Sequence, residues 1–236
     1  MAESIRLDIM AGRLEPGSRL AFSELSAKHE VSVGVLREAL IRLTDRGIVR
    51  AQSNIGFTVM SVSDENLRDL TNVRTLIEPK FARQSVLNGS VEWESELVAA
   101  HHLLARAPLF GDAGENYGEA WLSAHANFHQ TLVAGANSGR MLEMVGRLRD
   151  EADLYRRWYT RGQDIRMAAA RSAQEHREIL EAATDRDADR VERLLRQHIM
   201  RSAEDMLPPA EATAATPAEE QVAAGTGRRP RSSRPG

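Results

Sequence analysis

The sequence predicts a mostly α-helical protein: an N-terminal winged helix-turn-helix followed by an all-helical antiparallel bundle. Three observations predict it. Two short amphipathic patterns meet at Val31-Ser32, and the second closes on Gly47. Two short strand-like runs follow at once, joined by Ser53-Asn54-Ile55-Gly56. From residue 63 to residue 207 the apolar residues recur almost throughout at helical spacing. Three regions are expected: the winged helix-turn-helix over 1–62, the helical bundle over 63–207, and a disordered tail over 208–236.

Ile5, Leu7, Ile9, Met10 and Leu14 predict a first helix, and Glu15-Pro16-Gly17-Ser18 breaks it because Pro and Gly together mark a turn. Ser23 is the expected N-cap of a short helix with Leu25 inward. Ser32 is the expected N-cap of a longer one, carrying Leu36, Leu40, Ile41 and Leu43 and ending near Arg46-Gly47. Ile48–Ala51 and Phe57–Met60 read as the two strands of a wing. In a helix-turn-helix the second helix enters the major groove, and its first residues meet bases and phosphates. Here those are Ser32, Val33, Gly34 and Val35, with Arg37 one turn in and Arg42 further along the polar side. The free N–H groups of that first turn favour a phosphate. For an isolated helix pair, Arg37 and Glu38 would be only a solvated face; turn, cap and wing together point to DNA.

Composition bounds the rest. The chain has 236 residues, 42% of them hydrophobic, and no cysteine, which excludes disulfides, Cys-based zinc ribbons and a thiolate nucleophile. No apolar run approaches the ~20 residues a spanning helix needs. The opening MAESIRLDIMAGRLEPG has no apolar leader core, so a cytoplasmic protein with no membrane partner is expected. Net charge is -3. Residues 63–207 are acidic, whereas the first 62 carry eight cationic against seven anionic side chains, too small an excess to indicate DNA by itself. The tail is rich in Ala, Pro, Gly and Ser and cannot bury enough surface to offset its ordering entropy. Its RRPRSSR is read as solvated, with phosphate contact as the alternative.

Four histidines stand out. His125 and His129 are spaced i, i+4 and share a helix face. His176 lies in a second helical pattern, and His198 falls on the stripe Val191, Leu195, His198 of a third. A lone His there would be a satisfied core residue; four from three helices in a Cys-free chain suit a divalent transition metal equally well. Arg74 occupies a core position in the stripe Leu67, Leu70, Arg74, Ile77, Phe81 and needs a partner. That partner is either Glu78, one turn on, or the carboxylate of a bound effector. Tyr155, Arg156, Trp158 and Tyr159 line a pocket or merely pack. Asn137 is the expected N-cap of a helix starting near Met141. His29, His101 and His102 are given no role.

The stretch MAGRLEPGSRLAFSELSAKHEVSVGVLREALIRLTDRGIVRAQSNIGFTV resembles the N-terminal domain of GntR-type bacterial transcription regulators, whose pattern runs G-x-L-x-P-G-x-x-L, S-E-L-A, V-S-R-T-P-V-R-E-A-L, L-x-x-x-G-L-V, R-G-x-x-V. FHQTLVAGANS and the spaced histidines after it resemble the FadR-like subfamily with its FCD-type effector domain. The resemblance spans about residues 4–206. It implies Ser23, Ser32, Gly34, Arg37 and Gly56 as DNA contacts. Where the family has Arg after the turn Ser this chain has Val33, and where the wing has Arg before Gly it has Ile55. The resemblance further implies a metal held by His125, His129, His176 and His198, with His125 in place of the commoner Asp. That exchange favours Zn or Ni over harder ions. A small anionic metabolite as effector, with Arg74 on its carboxylate, and a homodimer on double-stranded operator DNA complete the expectation.

Two functions therefore stand at this point. One is a ligand-responsive DNA-binding regulator, not an enzyme, in which the effector changes the separation of two recognition helices. The other is a metal-dependent hydrolase with a vestigial DNA-binding domain. Against the second, no carboxylate lies in an H-E-x-x-H-like motif, and a metal with four protein ligands suits a structural or ligand-sensing role better than a catalytic one.

Overall fold

The computed structural model describes residues 1–111, 117–159 and 165–207; the predicted tail lies outside them. In order come α1 (Ala2–Met10), α2 (Phe22–His29), α3 (Val33–Asp45), β1 (Val49–Gln52), β2 (Gly56–Val59), α4 (Asp64–Asn88), α5 (Val91–Arg106), α6 (Glu119–Ala134), α7 (Gly139–Tyr159), α8 (Ile165–Thr184) and α9 (Ala188–Glu204).

The first helix stops at Met10 rather than reaching Leu14. Arg13 and Leu14 both donate their backbone N–H to the Asp8 carbonyl, and Gly12 at φ +75° turns the chain. Asp8 is itself buried and accepts from Arg13 and Lys28, pinning α1 to α2. The expected cap at Ser23 is displaced: α2 starts after Ala21, whose extended backbone accepts from Leu25, and Ser23 is an exposed second residue of the helix. The α2–α3 turn passes through Glu30 in the left-handed region at φ 54°. Ser32 caps α3 as expected, its Oγ accepting from Val35 N at 3.4 Å. Leu36, Ala39, Leu40 and Leu43 face inward, but Ile41, expected among them, is 49% exposed.

The wing is an antiparallel pair with Val49 opposite Val59 and Gln52 opposite Gly56. Each strand sits one residue from its expected place, because Asn54 (φ 64°) and Gly56 (φ 98°) turn left-handed and fix the register. Leu20 N donates to the Phe57 carbonyl and Val59 N to that of Ser18, so residues 18–20 cover the outer edge of β2.

Two apolar cores result. One joins Ile5, Leu36, Leu40 and Phe57 to Leu67 and Leu70 of α4, Tyr155 of α7 and Met206, so it crosses the expected boundary at residue 62. The other fills the bundle with Leu97, Phe128, Leu132, Ile179 and Leu195. At the start of α7 the cap is Ser138, which accepts from Met141 N at 3.4 Å; Asn137, the expected cap, takes φ 54° and turns the chain instead.

Candidate functional site

The inner face of α6 presents Trp121, Leu122, His125, Phe128, His129 and Leu132, so its two histidines occupy core positions. α8 brings in His176 and α9 brings in His198. All four rings are buried, and one nitrogen from each lies within 4.8 Å of the others. His129 Nε2 and His176 Nε2 are 3.2 Å apart. Four imidazoles at ordinary zinc distances place their nitrogens about 3.3 Å from one another. The His129–His176 pair already meets that spacing.

The unpartnered atoms point the same way. Neither nitrogen of His125 has a hydrogen-bond partner, nor does His129 Nδ1, although buried polar groups nearly always find one. His125 is instead held by stacking on Trp121, with ring centroids 4.9 Å apart and planes 18° from parallel; Trp121 stacks in turn on Tyr117. His198 is oriented differently. Its Nδ1–H donates to Glu175 at 2.7 Å, which leaves Nε2 as a lone pair for the cluster, and Arg201 holds the other Glu175 oxygen. Burial raises the Glu175 pKa, but the bonds from His198 and Arg201 outweigh it and keep it below the usual carboxylate value. Burial holds His125 and His176 well below the ordinary histidine value, and Arg156 pushes both the same way. His198 is lowered too, burial exceeding the opposing pull of Glu175. These rings are kept neutral, the form that binds metal.

The surroundings are cationic. Arg74 Nε donates to Glu78 at 2.6 Å, and Arg149, from α7, donates to the other Glu78 oxygen at 2.5 Å. Of the two partners expected for Arg74, Glu78 is therefore engaged. Arg149 escaped the sequence reading, although it interrupts the stripe Val145, Arg149, Ala152 as Arg74 interrupts its own. Arg156, which sequence left as lining or packing, is buried, bonds Ser202 at 3.0 Å and lies over Trp121. Tyr155 and Trp158 pack in the first core. Beside His198 a cavity of ≈ 10 Å³ is lined by Tyr117, Arg156, Arg171, Ser172, Glu175 and Ser202. The Ser172 hydroxyl is buried without a partner, and an Arg171–Asp205 ion pair stands next to it.

On the N-terminal domain the structure brings Ser32, Val33, Gly34, Arg37 and Arg42 together along the exposed side of α3, with Gly56 exposed in the wing. Ser23 is apart from them, on α2. Arg37 lies over the Phe22 ring at 5.0 Å, and Arg42 pairs with Glu38 at 2.8 Å. Val33, Val35 and Ile55 are 50%, 47% and 46% exposed.

Comparison with known proteins agrees with both halves. Residues 1–59 match "Bacterial regulatory proteins, gntR family", and residues 69–201 match "FCD domain". The HTH-type transcriptional regulator BphR of Paraburkholderia xenovorans is 35% identical over 84% of this chain and 80% of its own length. The HTH-type transcriptional repressor GlaR of Escherichia coli is 32% identical over 83% of this chain and 89% of its own. The structure of E. coli McbR/YncC superposes with a TM-score of 0.72 at 19% identity, covering 87% of this chain and 94% of that one, which speaks to the fold alone. Among the described residues no helix is long and apolar enough to cross a membrane. The families and relatives are transcription regulators rather than enzymes, which sets the hydrolase alternative aside. The chain belongs to the GntR family of bacterial transcription regulators, a DNA-binding protein whose winged helix-turn-helix is followed by an FCD effector-binding domain.

Proposed function

We propose that this regulator senses a small anionic metabolite through a divalent transition metal, Zn or Ni, held by His125, His129, His176 and His198. One observation carries the metal: four buried imidazoles converge while three of their nitrogens lack any other partner. A bound metal would supply a fixed positive charge and a Lewis-acidic contact for a carboxylate. Arg74, Arg149 and Arg156 add positive potential around it, against which stand the carboxyls of Glu78, Glu175 and Asp153. A ≈ 10 Å³ cavity has room for about one water. A metabolite therefore requires the Arg171–Asp205 side to open, and Ser172 and Arg156 then offer donors. Arg74, with Nε engaged by Glu78, is proposed to act on the effector chiefly through its charge. On the other domain, Ser32, Val33, Gly34, Arg37 and Arg42 of α3, with Ser23 and Gly56, are proposed to meet operator DNA. A homodimer would present two such surfaces to two half-sites, and repression, as in the E. coli repressor GlaR, is the matching output.

The test is metal analysis of tag-free protein by native mass and elemental methods. About one Zn or Ni per chain is expected. His129→Ala, His176→Ala and His198→Ala should each strip the ion and lower the thermal midpoint, while His125→Asp should retain it with a shift toward harder ions. A ratio near zero, unrescued by added Zn or Ni, would remove the metal from the proposal.

A further inference from the structure

We propose that Val33 and Val35 read the C5-methyl groups of pyrimidines in the major groove, so that this regulator selects its site by thymine rather than by guanine. The inference rests on the reading of α3 as the DNA-entering helix and adds what that helix recognises.

The apolar residues of α3 fall into two sets. Leu36, Ala39, Leu40 and Leu43 are between 0% and 4% exposed, and they account for the packing of the helix on the first core. Val33, Val35 and Ile41 are 50%, 47% and 49% exposed. Neither valine belongs to that core. β-Branched residues are also poor choices for an exposed helical position, where local preference favours Ala, Glu, Lys or Arg. Gly34 stands between them. Nothing but the Ser32 hydroxyl, at 3.9 Å, comes near the place of its missing side chain, so the protein's own packing does not demand glycine there. What glycine provides is a flat backbone ridge between two apolar knobs, open to close approach by another molecule.

The chemistry of the groove supplies the match. A valine has no donor or acceptor, so it cannot bond the edges of guanine, adenine or cytosine. Of the unmodified bases only thymine presents an apolar group in the major groove, its C5-methyl. The row Val33, Arg37, Ile41 lies at i, i+4, i+8 along one exposed strip. Its single cation, Arg37, is steadied over the Phe22 ring. A charge set one turn behind an apolar front suits a phosphate contact that positions the helix while the valines meet bases.

The experiment begins with selection of duplexes from a random library by the full-length, metal-loaded protein. Each thymine of the selected site is then replaced singly by deoxyuridine, which removes the methyl and nothing else. One or two positions per half-site should lose roughly four-fold in affinity, the worth of burying one methyl-sized group. In Val33→Ala and Val35→Ala proteins the thymine-to-uracil ratio at those positions should approach one. Their melting temperatures and salt slope should stay put, because no charge and no core contact is lost. Val33→Arg should move the selected base toward guanine. Equal binding of thymine and deoxyuridine at every position would overturn the inference while leaving DNA recognition intact. A protein that selects no duplex at all would sink the DNA-binding reading of α3 and this inference with it.

Discussion

Glu78 is a buried charge with two cationic partners. It is fully buried on α4 and accepts from Arg74 on one oxygen and Arg149 on the other. Burial alone would raise its pKa; Arg149 and Arg74 more than reverse this and hold it below the usual value. Glu78→Ala would leave two guanidiniums in the core without the carboxylate they share. Breaking a buried pair in this way costs about 3–5 kcal/mol, and urea denaturation should show a loss of that size. A loss below about 1 kcal/mol would mean that water reaches both arginines. Two members of this triad were legible, since Arg74 sits in an apolar stripe and Glu78 follows it by four. Arg149 was not, because its meeting with Glu78 depends on how α7 crosses α4. The histidines show the same division. Their type and spacing announced a cluster, but the Glu175 contact to His198 arises only where α8 and α9 pack. For Arg37 the expectation is local: Arg37→Ala should weaken operator binding and flatten its salt dependence by about one unit. An unchanged slope would take its charge out of the phosphate contact.

At the scale of elements, α4 runs for 25 residues through Pro79 without stopping. Proline has no N–H, so the carbonyl of Thr75, four residues back, loses its helical partner. Arg196 of α9 donates to that carbonyl at 2.6 Å, and the vacancy in one helix becomes a tether to the next. Arg196→Ala should cost about 1.5–3 kcal/mol, the range for hydrogen bonds from charged groups. The loss should shrink clearly in a Pro79→Ala background, where residue 79 again donates to Thr75. Equal losses in both backgrounds in a double-mutant cycle would show that the tether adds nothing. The far end of α4 is closed by another distant arginine: Arg186 donates to the Val86 and Gly89 carbonyls, a cation at the negative end of a helix. Helix existence was readable from periodicity, while caps were less so. Ser32 was found because it alone precedes the apolar run. The cap of α7 falls on Ser138 instead of the expected Asn137, because sequence does not reveal which of two adjacent cap formers turns left-handed.

Across the whole molecule, α7 belongs to both domains. Arg149 faces Glu78 of the bundle, Tyr155 lies in the first core, and Asp150 stands 3.8 Å from Arg46, the residue that ends the recognition helix. Arg157 reaches the Met10 carbonyl at 2.7 Å. This shared helix is why residue 62, a clear change of pattern in sequence, is not a boundary in the packing. It also makes acid stability a property of the whole fold. His125, His176 and His198 are all lowered by burial, so the folded protein refuses protons that the unfolded chain accepts. Where the unfolded state binds more protons, stability rises with pH. The contribution is therefore complete above about 6.5, the unfolded histidine value, and is lost as pH falls below it. Metal-free protein should show a denaturation midpoint that drops on going from about pH 7.5 to about pH 5.5. Burial raises the pKa of Asp150 and Asp153, an effect of opposite sign, so the histidine share is read from the difference between the wild-type protein and a histidine variant that leaves both carboxyls in place. His125 makes no hydrogen bond and is held by stacking, so metal-free His125→Leu should fold and show a shallower drop. Metal-loaded protein should start higher, since a ligand of the native state adds stability. It should converge on the metal-free curve at low pH, because protons displace the ion from its nitrogens. A metal-free midpoint that is flat across this range would mean that His125, His176 and His198 take up protons in the folded state, and their buried neutral form would have to be abandoned.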